Sequence, residues 1–281
     1  MSDGRNIQWF PGHMAKTMRL IDENMRLADV IIYVLDARIP DTCLNPAFAK
    51  AIGVKPVLYL LNKADLADPA ASLAWERRLR PAAALSVTAT MSKFKHAILK
   101  EITALAADKI ARRREKGLNY TPKTMVIGIP NTGKSTVINS LAGARRAAVG
   151  DRPGVTRGKQ WVRVEDKIDL LDMPGALPTK FESQLSARHA AYVGGINDTV
   201  TDASELACAL LAELAVLAPD AVAGRYGVTP CGSPLQDLER IAAALGCIKL
   251  GAVPDSDRAA AAFIDDFRKG KLGRITLERP Y

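Results

Sequence analysis

One short segment constrains the fold of this chain more than any other. An apolar run, KTMVIGI (residues 123–129), leads directly into PNTGKST (130–136), which gives the pattern G-x-x-x-x-G-K-S. Its glycines, Gly128 and Gly133, let a backbone fold around phosphate oxygens with its N–H groups pointing inward. A helix that follows adds its positive N-terminal end. The segment therefore predicts a strand, a phosphate-binding loop (P-loop) and a helix, in that order.

The P-loop supplies most of the predicted nucleotide contacts. We expect Lys134 to reach the β- and γ-phosphates and to act in catalysis, and Ser135 to ligate Mg²⁺. The P-loop alone does not distinguish ATP from GTP. The nucleotide-binding residues predicted here are Asn131, Thr132, Gly133, Lys134, Ser135 and Thr136.

A second motif, in YLLNKAD (59–65), favours guanine. The Asp65 carboxylate can accept hydrogen bonds from N1–H and the 2-amino group of guanine, whereas adenine offers neither donor at that edge. The Lys63 stem can lie over the base, and Asn62 can brace the loop. Thr88 and Ala89, after the next apolar run, are predicted to form the second guanine loop.

A third motif, DMPG (172–175), ends the apolar run KIDLLD. Asp172 is predicted to hold Mg²⁺ through a water, and the Gly175 N–H to meet the γ-phosphate. Thr156, in RPGVTRG, is the candidate metal-binding threonine of a switch loop. The predicted metal-binding residues are therefore Ser135, Thr156 and Asp172.

The order of these motifs differs from that of an ordinary GTPase, which begins at the P-loop. Here the guanine loops come first, and residues 93–122 would join the original chain ends. Short apolar runs alternate with helix-length segments, which predicts a parallel α/β sheet. We predict a circularly permuted P-loop GTPase domain (1–175) followed by a small all-helical C-terminal domain (176–281), because alanine-rich helical patterns dominate after residue 176.

Charge and composition narrow the cellular setting. The first 175 residues hold 28 Lys and Arg against 17 Asp and Glu, whereas the remainder holds 11 against 13. A basic surface attracts polyanions, and nucleic acid is the leading candidate. No apolar run reaches the length of a membrane span, there is no secretory signal, and the four cysteines are scattered. These features predict a cytoplasmic protein.

Several of these segments together resemble the ribosome biogenesis GTPase A (RbgA/YlqF) family of circularly permuted GTPases. The resemblance covers nearly the whole chain. It includes IQWFPGHMAK (7–16), VLDARIP (34–40), NKAD, GIPNTGKST, RPGVTRGKQW (152–161), DMPG and the tail DFRKGKLGRITLE (266–278). It implies GTP hydrolysis in late assembly of the large ribosomal subunit, stimulated by that particle, and an RNA-binding C-terminal domain.

The resemblance also gives two residues a role. Many GTPases place a Gln after DxxG to orient the attacking water, but this chain has Ala176. In the family the histidine of the PGH motif is implicated instead, which maps to His13; from the sequence alone, packing or RNA contact is an equal alternative. Asn131 matches an asparagine that helps to bind K⁺ in related GTPases, or is an ordinary P-loop contact.

RNA contact has its own candidates. The switch loop and the tail could neutralise phosphates, which would make binding salt-dependent, although a solvated basic loop is the alternative for each. Their basic residues are Arg145, Arg146, Arg152, Arg157 and Lys159, and Arg268, Lys269, Lys271 and Arg274.

The motifs predict a Mg²⁺-dependent GTPase that works as a monomer. The resemblance implies that it also uses K⁺ and binds the precursor of the large subunit and its rRNA. The first alternative is a GTP-binding signalling or scaffold protein that acts through protein partners without RNA.

Overall fold

The computed structural model describes residues 12–143, 160–178, 180–251 and 253–280. Five strands form a parallel sheet, and a sixth, at its edge, is antiparallel to its neighbour. Their bounds are Val30–Asp36 (β1), Val57–Asn62 (β2), Ala83–Ser86 (β3), Lys123–Ile127 (β4), Gln160–Val164 (β5) and Ile168–Asp172 (β6). Across the sheet the order is β3-β2-β1-β4-β6-β5. The predicted α/β class is confirmed, with the P-loop strand fourth in the chain.

The central strand β1 faces apolar layers on both sides. Ile31, Tyr33 and Leu35 point into one cluster, and Val30, Ile32 and Val34 into the other. All are buried, as expected for a strand covered on both faces. The unbroken apolar run VIIYVL is therefore explained by burial on both sides.

The helices of the first part cover these two faces. Local sequence sets several of their starts: the Asn45 and Asp68 side chains cap helices that open with Pro46 and Pro69. The bounds are Gly12–Met25 (α1), Pro40–Cys43 (α2), Pro46–Ile52 (α3), Pro69–Arg78 (α4), Phe94–Leu105 (α5), Ala107–Glu115 (α6) and Lys134–Ala142 (α7).

The segment expected to join the original chain ends, 93–122, contains two helices that meet at Ala106. Helix α5 buries Ile98, Leu99 and Ile102 against the sheet. Helix α6 buries no residue, because its sequence, ADKIARRRE, has no apolar stripe. A strongly basic helix therefore lies on the surface.

The C-terminal part is helical, as predicted, with one small addition. Its helices are Gln184–Tyr192 (α8), Ala203–Leu217 (α9), Pro219–Tyr226 (α10), Pro234–Ala244 (α11) and Ser256–Arg268 (α12), with a 3₁₀ turn at Asp198–Val200. The addition is a two-stranded antiparallel ladder, Ile248–Lys249 (β7) with Val253–Pro254 (β8). Among the described residues no single helix could span a membrane; only α9 and α10 together, bent by 115°, reach the length and composition.

The apolar core does not stop at residue 176. One cluster contains Leu35 and Ile127 of the sheet together with Tyr192, Leu210 and Phe263 of the helical part. The division into 1–175 and 176–281 remains a prediction about folding units. Within the described residues, the two parts share this cluster.

The carboxyl ends of the parallel strands lie at one edge of the sheet. β1 ends at Asp36, opposite Asn62 of β2, and β6 ends at Asp172. Loops that follow such ends converge, and ligands of open α/β sheets bind there. The permuted chain order therefore does not separate the guanine loops from the P-loop.

Candidate nucleotide site

The P-loop has the backbone that its glycines predict. Gly128 and Gly133 both have positive φ, 151° and 91°. A side chain at Gly128 would collide with the Val34 carbonyl, and one at Gly133 with the Asn62 amide. Gly133 is also the N-cap residue of α7, which begins at Lys134. These positions require glycine because the Val34 carbonyl of β1 and the Asn62 side chain of β2 leave no space for a side chain.

Lys134, the first residue of α7, is buried below the loop. Its Nζ donates to the Ile129 carbonyl at 2.8 Å. Burial lowers the pKa of Lys134 to about 8, although the nearby Asp172 carboxylate raises it. An ammonium held by its own loop is positioned to turn towards a phosphate placed between the loop amides.

The base-reading loop is tied to the P-loop by Asn62. Its Nδ2 donates to the Thr132 carbonyl at 2.8 Å, and its Oδ1 accepts from the Ala89 N–H at 3.0 Å. Asp65 accepts a hydrogen bond from Thr88 Oγ1 at 3.1 Å. The structure thus brings the two predicted guanine loops together and links them to the P-loop.

Lys63 joins these loops in a second way. It has a left-handed backbone, with φ 58°, and its Nζ donates to the Asn131 carbonyl at 2.6 Å. The same Nζ lies 3.0 Å from Asp36 Oδ2. The Lys63 ammonium is therefore fixed by two partners, one on the P-loop and one at the end of β1.

Asp36 and Arg38 support the site, although no role was predicted for either of them. Asp36 is fully buried and binds Arg38 through both carboxylate oxygens, at 2.9 and 2.8 Å. Burial alone would raise the pKa of Asp36, but Arg38 and Lys63 outweigh it and hold that pKa far below its usual range. Arg38 also donates to the Phe267 and Arg268 carbonyls. The sequence does indicate a site here, because DAR begins at the last residue of a fully buried strand, at the edge where the loops converge.

The expected metal-binding residues meet at the end of β6. Ser135 Oγ lies 3.4 Å from Asp172 Oδ2, and Asp172 Oδ1 is buried without a hydrogen-bond partner among the described residues. Burial raises the pKa of Asp172, with the Lys134 charge acting in the opposite direction. An unpartnered carboxylate oxygen beside a hydroxyl suits Mg²⁺, which prefers hard oxygen ligands. The described residues therefore fit the metal. Thr156 lies outside the described residues.

Gly175 and Ala176 complete this side of the site. A side chain at Gly175 would approach Lys134 Nζ and Pro130 within 2.8 Å. Ala176 is buried, and its N–H donates to the Gly128 carbonyl at 3.3 Å. The backbone after DMPG therefore lies directly against the P-loop, and the side chain at 176 cannot orient a water.

The helical part also contacts the P-loop. Asn131, with φ 61°, donates its Nδ2 to the Gly194 carbonyl at 2.6 Å. Gly194 follows α8, and a side chain there would approach the Asn131 amide and the Arg268 guanidinium. The P-loop asparagine thus links the nucleotide site to the C-terminal part.

The basic residues of the tail, predicted to contact RNA, are engaged within the protein. Arg268 donates to the Ala191 and Tyr192 carbonyls and pairs with Asp198. Arg274 donates to the Ala64 and Ala67 carbonyls. Two further ion pairs are Lys269 with Asp265 and Lys271 with Asp266. The tail is a structural element of the site, which the sequence did not indicate.

Two further sets of predicted residues have no described side chains. His13 falls in the first turn of α1, and only its backbone is described. The switch-loop candidates lie wholly outside the described residues; they are Arg145, Arg146, Arg152, Arg157 and Lys159.

Comparison with known proteins agrees with this geometry. Residues 123–215 match the model of a family described as "50S ribosome-binding GTPase". Ribosome biogenesis GTPase A of Priestia megaterium is 36% identical, over 98% of this chain and 97% of its own. Mitochondrial ribosome-associated GTPase 1 of Ictalurus punctatus is 33% identical, over 96% and 92%. The GNP-bound YlqF from T. maritima has a TM-score of 0.66 at 26% identity, covering 94% of this chain and 98% of that chain.

The similarity extends over the permuted GTPase part and the helical part alike. At this identity and coverage, the chain belongs to the ribosome biogenesis GTPase A family.

Proposed function

We propose that this GTPase acts in late assembly of the large ribosomal subunit, that it contacts rRNA, and that the particle stimulates GTP hydrolysis. The observation that carries the nucleotide assignment is the convergence of Asp65, Lys134 and Asp172 at one edge of the sheet. The ribosomal assignment is supported by the names of relatives that match over nearly the whole chain.

Hydrolysis in this site would depend on positioning and charge. Lys134 and the P-loop amides would hold the β- and γ-phosphates, and Asp65 would hold the guanine. Ser135 and Asp172 would hold Mg²⁺, which when bound neutralises negative charge that develops on the phosphates. Ala176 offers no side-chain group for the attacking water. Slow turnover in isolation is therefore expected, with His13 as the proposed activating residue.

Potassium is the proposed additional cation. Asn131 lies at the phosphate side of the loop in a left-handed conformation, and its amide is oriented by Gly194. A monovalent cation beside it would add positive charge near the β–γ bridge. The comparison of K⁺ with Na⁺ in the hydrolysis experiment tests this proposal.

Contact with RNA is supported by a basic face around α6. The helix carries Arg112, Arg113 and Arg114 in its last turn and buries none of them. Two aromatic rings lie alongside: Arg113 lies over Tyr120 at 5.3 Å, and Lys123 over Trp161 at 5.6 Å. Trp161 is 41% exposed. An exposed ring such as Trp161 among cations offers stacking and phosphate contacts together, which is the chemistry that single-stranded RNA uses.

The hydrolysis experiment compares GTP turnover with and without purified large subunits, in K⁺ and then in Na⁺. We expect strong stimulation by the particle in K⁺, and its loss in His13→Ala. His96→Ala is the matched control, because it removes an exposed histidine of α5 that is not among the predicted site residues. No stimulation of a protein that still binds GTP tightly would favour the signalling or scaffold alternative.

The RNA experiment measures binding to large-subunit rRNA over a range of KCl concentrations. Reversing Arg112 and Arg114 to Glu should weaken binding and reduce the salt slope, by about 0.7–0.9 for each phosphate that is no longer neutralised. Arg77→Glu with Arg78→Glu, on the exposed end of α4, makes the same charge change elsewhere. Equal weakening in both variants would indicate a general charge effect and contradict the α6 face.

We further propose that the protein works as a monomer in the cytoplasm. Light scattering of the purified chain tests the first statement, and fractionation of cells tests the second.

A further inference from the structure

The chain beyond α12 crosses the base-reading loop before it ends. We name residues 270–278 the C-terminal strap. The Ile275 N–H donates to the Leu66 carbonyl at 3.0 Å, and Thr276 Oγ1 accepts from the Asp68 N–H at 3.1 Å. Gly270, with φ 72°, packs so closely on Leu66 that a side chain there would collide with it. The strap therefore follows the loop from residue 64 to residue 68.

One side chain of the strap, Arg274, binds the backbone on both sides of Asp65. Arg274 Nη2 donates to the Ala64 carbonyl at 2.8 Å, and its Nε donates to the Ala67 carbonyl at 3.0 Å. Asp65 lies between these two residues. A planar guanidinium presents its N–H donors as a rigid fork, so it holds the two acceptors in a fixed geometry relative to each other. The backbone on either side of Asp65 is thus held by one group from the far end of the chain.

The strap is itself firmly attached beyond the loop. Ile275, Thr276 and Leu277 are buried, and the Leu277 N–H donates to the Arg38 carbonyl at 2.8 Å. The Glu278 carboxylate accepts from Thr42 and from His189. The Arg274 guanidinium therefore projects from a fixed backbone and not from a free chain end.

We propose that Arg274 is a positioning residue for guanine selectivity. It fixes the loop on both sides of Asp65, so that the carboxylate meets N1–H and the 2-amino group of the base without first being ordered. Thr88 already donates to Asp65 Oδ1, which leaves the other oxygen and the remaining lone pairs for the base. This inference rests on the proposed guanine site.

The test measures the dissociation constants of GDP and IDP for the full chain by calorimetry. IDP keeps N1–H but lacks the 2-amino group, so the selectivity ratio, Kd for IDP divided by Kd for GDP, measures the contact with Asp65. In Arg274→Ala we expect GDP to bind about 3- to 10-fold more weakly and IDP to change less, so that the selectivity ratio falls. A variant with a smaller folded fraction and no other change would keep the ratio.

Two further variants make the result specific. Arg279→Ala removes an exposed arginine of the same tail that pairs with Asp68, and its selectivity ratio should equal that of the wild type. Arg274→Lys keeps the positive charge but lacks the rigid fork of donors, and should give an intermediate ratio. Because Arg274 is exposed, neither change opens a cavity, and both variants should fold.

The possible failures are distinguishable. A wild-type protein that binds GDP no better than IDP or ADP would overturn the guanine site, and this inference with it. A wild-type preference for GDP that persists unchanged in Arg274→Ala would overturn the role of Arg274 alone. Equal weakening of GDP and IDP would do the same, since it would show a general structural effect.

Discussion

The two ends of the nucleotide site are built differently. On the base side, Asn62, Lys63 and Asp65 each contact a partner from another part of the chain. On the phosphate side, Lys134 contacts its own loop, and one buried oxygen of Asp172 has no partner in the part of the chain that the structure describes. The base-reading loop is thus assembled by the fold, whereas the phosphate side keeps groups whose best partners are a phosphate and a metal ion.

This difference follows from the permuted chain. The base-reading loop lies early in the sequence, and the strap that holds it lies at the end. The two meet because β1 and β2 lie side by side in the sheet, and Arg38, just beyond β1, binds the end of α12. We therefore expect guanine selectivity to depend on the C-terminal part, and phosphate binding to depend mainly on β4, α7 and β6.

The largest expected effect is on the phosphate side. Lys134→Ala removes the buried ammonium that would stabilise charge on the phosphates, so we expect kcat to fall by roughly 10²–10³-fold. Single-turnover hydrolysis with saturating GTP measures this change. The selectivity ratio of IDP to GDP should stay at the wild-type value, since the base side is untouched. A fall in that ratio would contradict the separation of the two ends.

The next largest effect concerns the ion pairs that Asp36 makes beside the base-reading loop. Asp36→Asn leaves the Arg38 and Lys63 charges without their shared buried carboxylate, and breaking such a pair typically costs about 3 kcal/mol or more. We expect the free energy of unfolding in urea to fall by about that amount. As a comparison, Asp166→Asn changes an exposed carboxylate that lies 3.8 Å from the Arg163 guanidinium. This change should lower the free energy of unfolding far less. Equal destabilisation of the two variants would show that Asp36 does not organise the site.

The next effect in order of size is on the affinity for the guanine base. In Asp65→Asn the amide cannot accept from both N1–H and the 2-amino group, so GTP should bind roughly 30- to 100-fold more weakly. The same amide can donate to the 2-oxygen of xanthine, so XTP should bind more tightly than it does to the wild type. Fluorescent analogues of both nucleotides measure the two constants. An unchanged preference for GTP over XTP would place base recognition elsewhere.

The smallest effect concerns the far end of the strap. His189 lies between Glu213 and Glu278, at 2.8 and 2.7 Å. Burial alone lowers its pKa, but these two carboxylates outweigh it and raise the pKa to about 9. In the unfolded chain a histidine titrates near about pH 6.5. The stability that protonated His189 contributes is therefore fully present below about pH 6.5 and disappears as pH rises through about 9.

Urea unfolding at about pH 6.5, 7.5 and 9 measures this contribution. In the wild type we expect the free energy of unfolding to decline by on the order of 1–2 kcal/mol from the lowest to the highest pH. In His189→Gln it should change much less with pH. His96→Ala should retain the wild-type profile. A decline of the same size in His189→Gln would assign the pH dependence to other groups.

Much of the site was predictable because its chemistry needs particular residues at fixed spacing. Gly128, Gly133 and Lys134 follow an apolar strand, and NKAD follows another, so strand ends and loops could be assigned from the pattern. The parallel sheet follows in the same way, because fully buried strands such as VIIYVL read as continuous apolar runs.

The strap could not be predicted, because Arg274 and Ile275 contact backbone carbonyls that lie far earlier in the chain. A carbonyl has no signature in the sequence, and a basic tail resembles a polyanion-binding surface equally well. The ion pairs of Asp36 were missed for a related reason. The motif DAR indicates a loop after a strand, but only the fold shows that Lys63 arrives at the same carboxylate.

Amide hydrogen exchange with and without GDP and Mg²⁺ tests most directly whether the C-terminal strap assembles the base side in advance. The N–H groups of Ala64, Leu66, Asp68, Ala89 and Ile275 are hydrogen-bonded within the fold. We predict that these amides exchange slowly in both conditions, while residues 131–135 become protected only when the nucleotide binds. Protection that rises as much in 64–68 and 275 as in the P-loop would contradict a base side assembled before the nucleotide arrives.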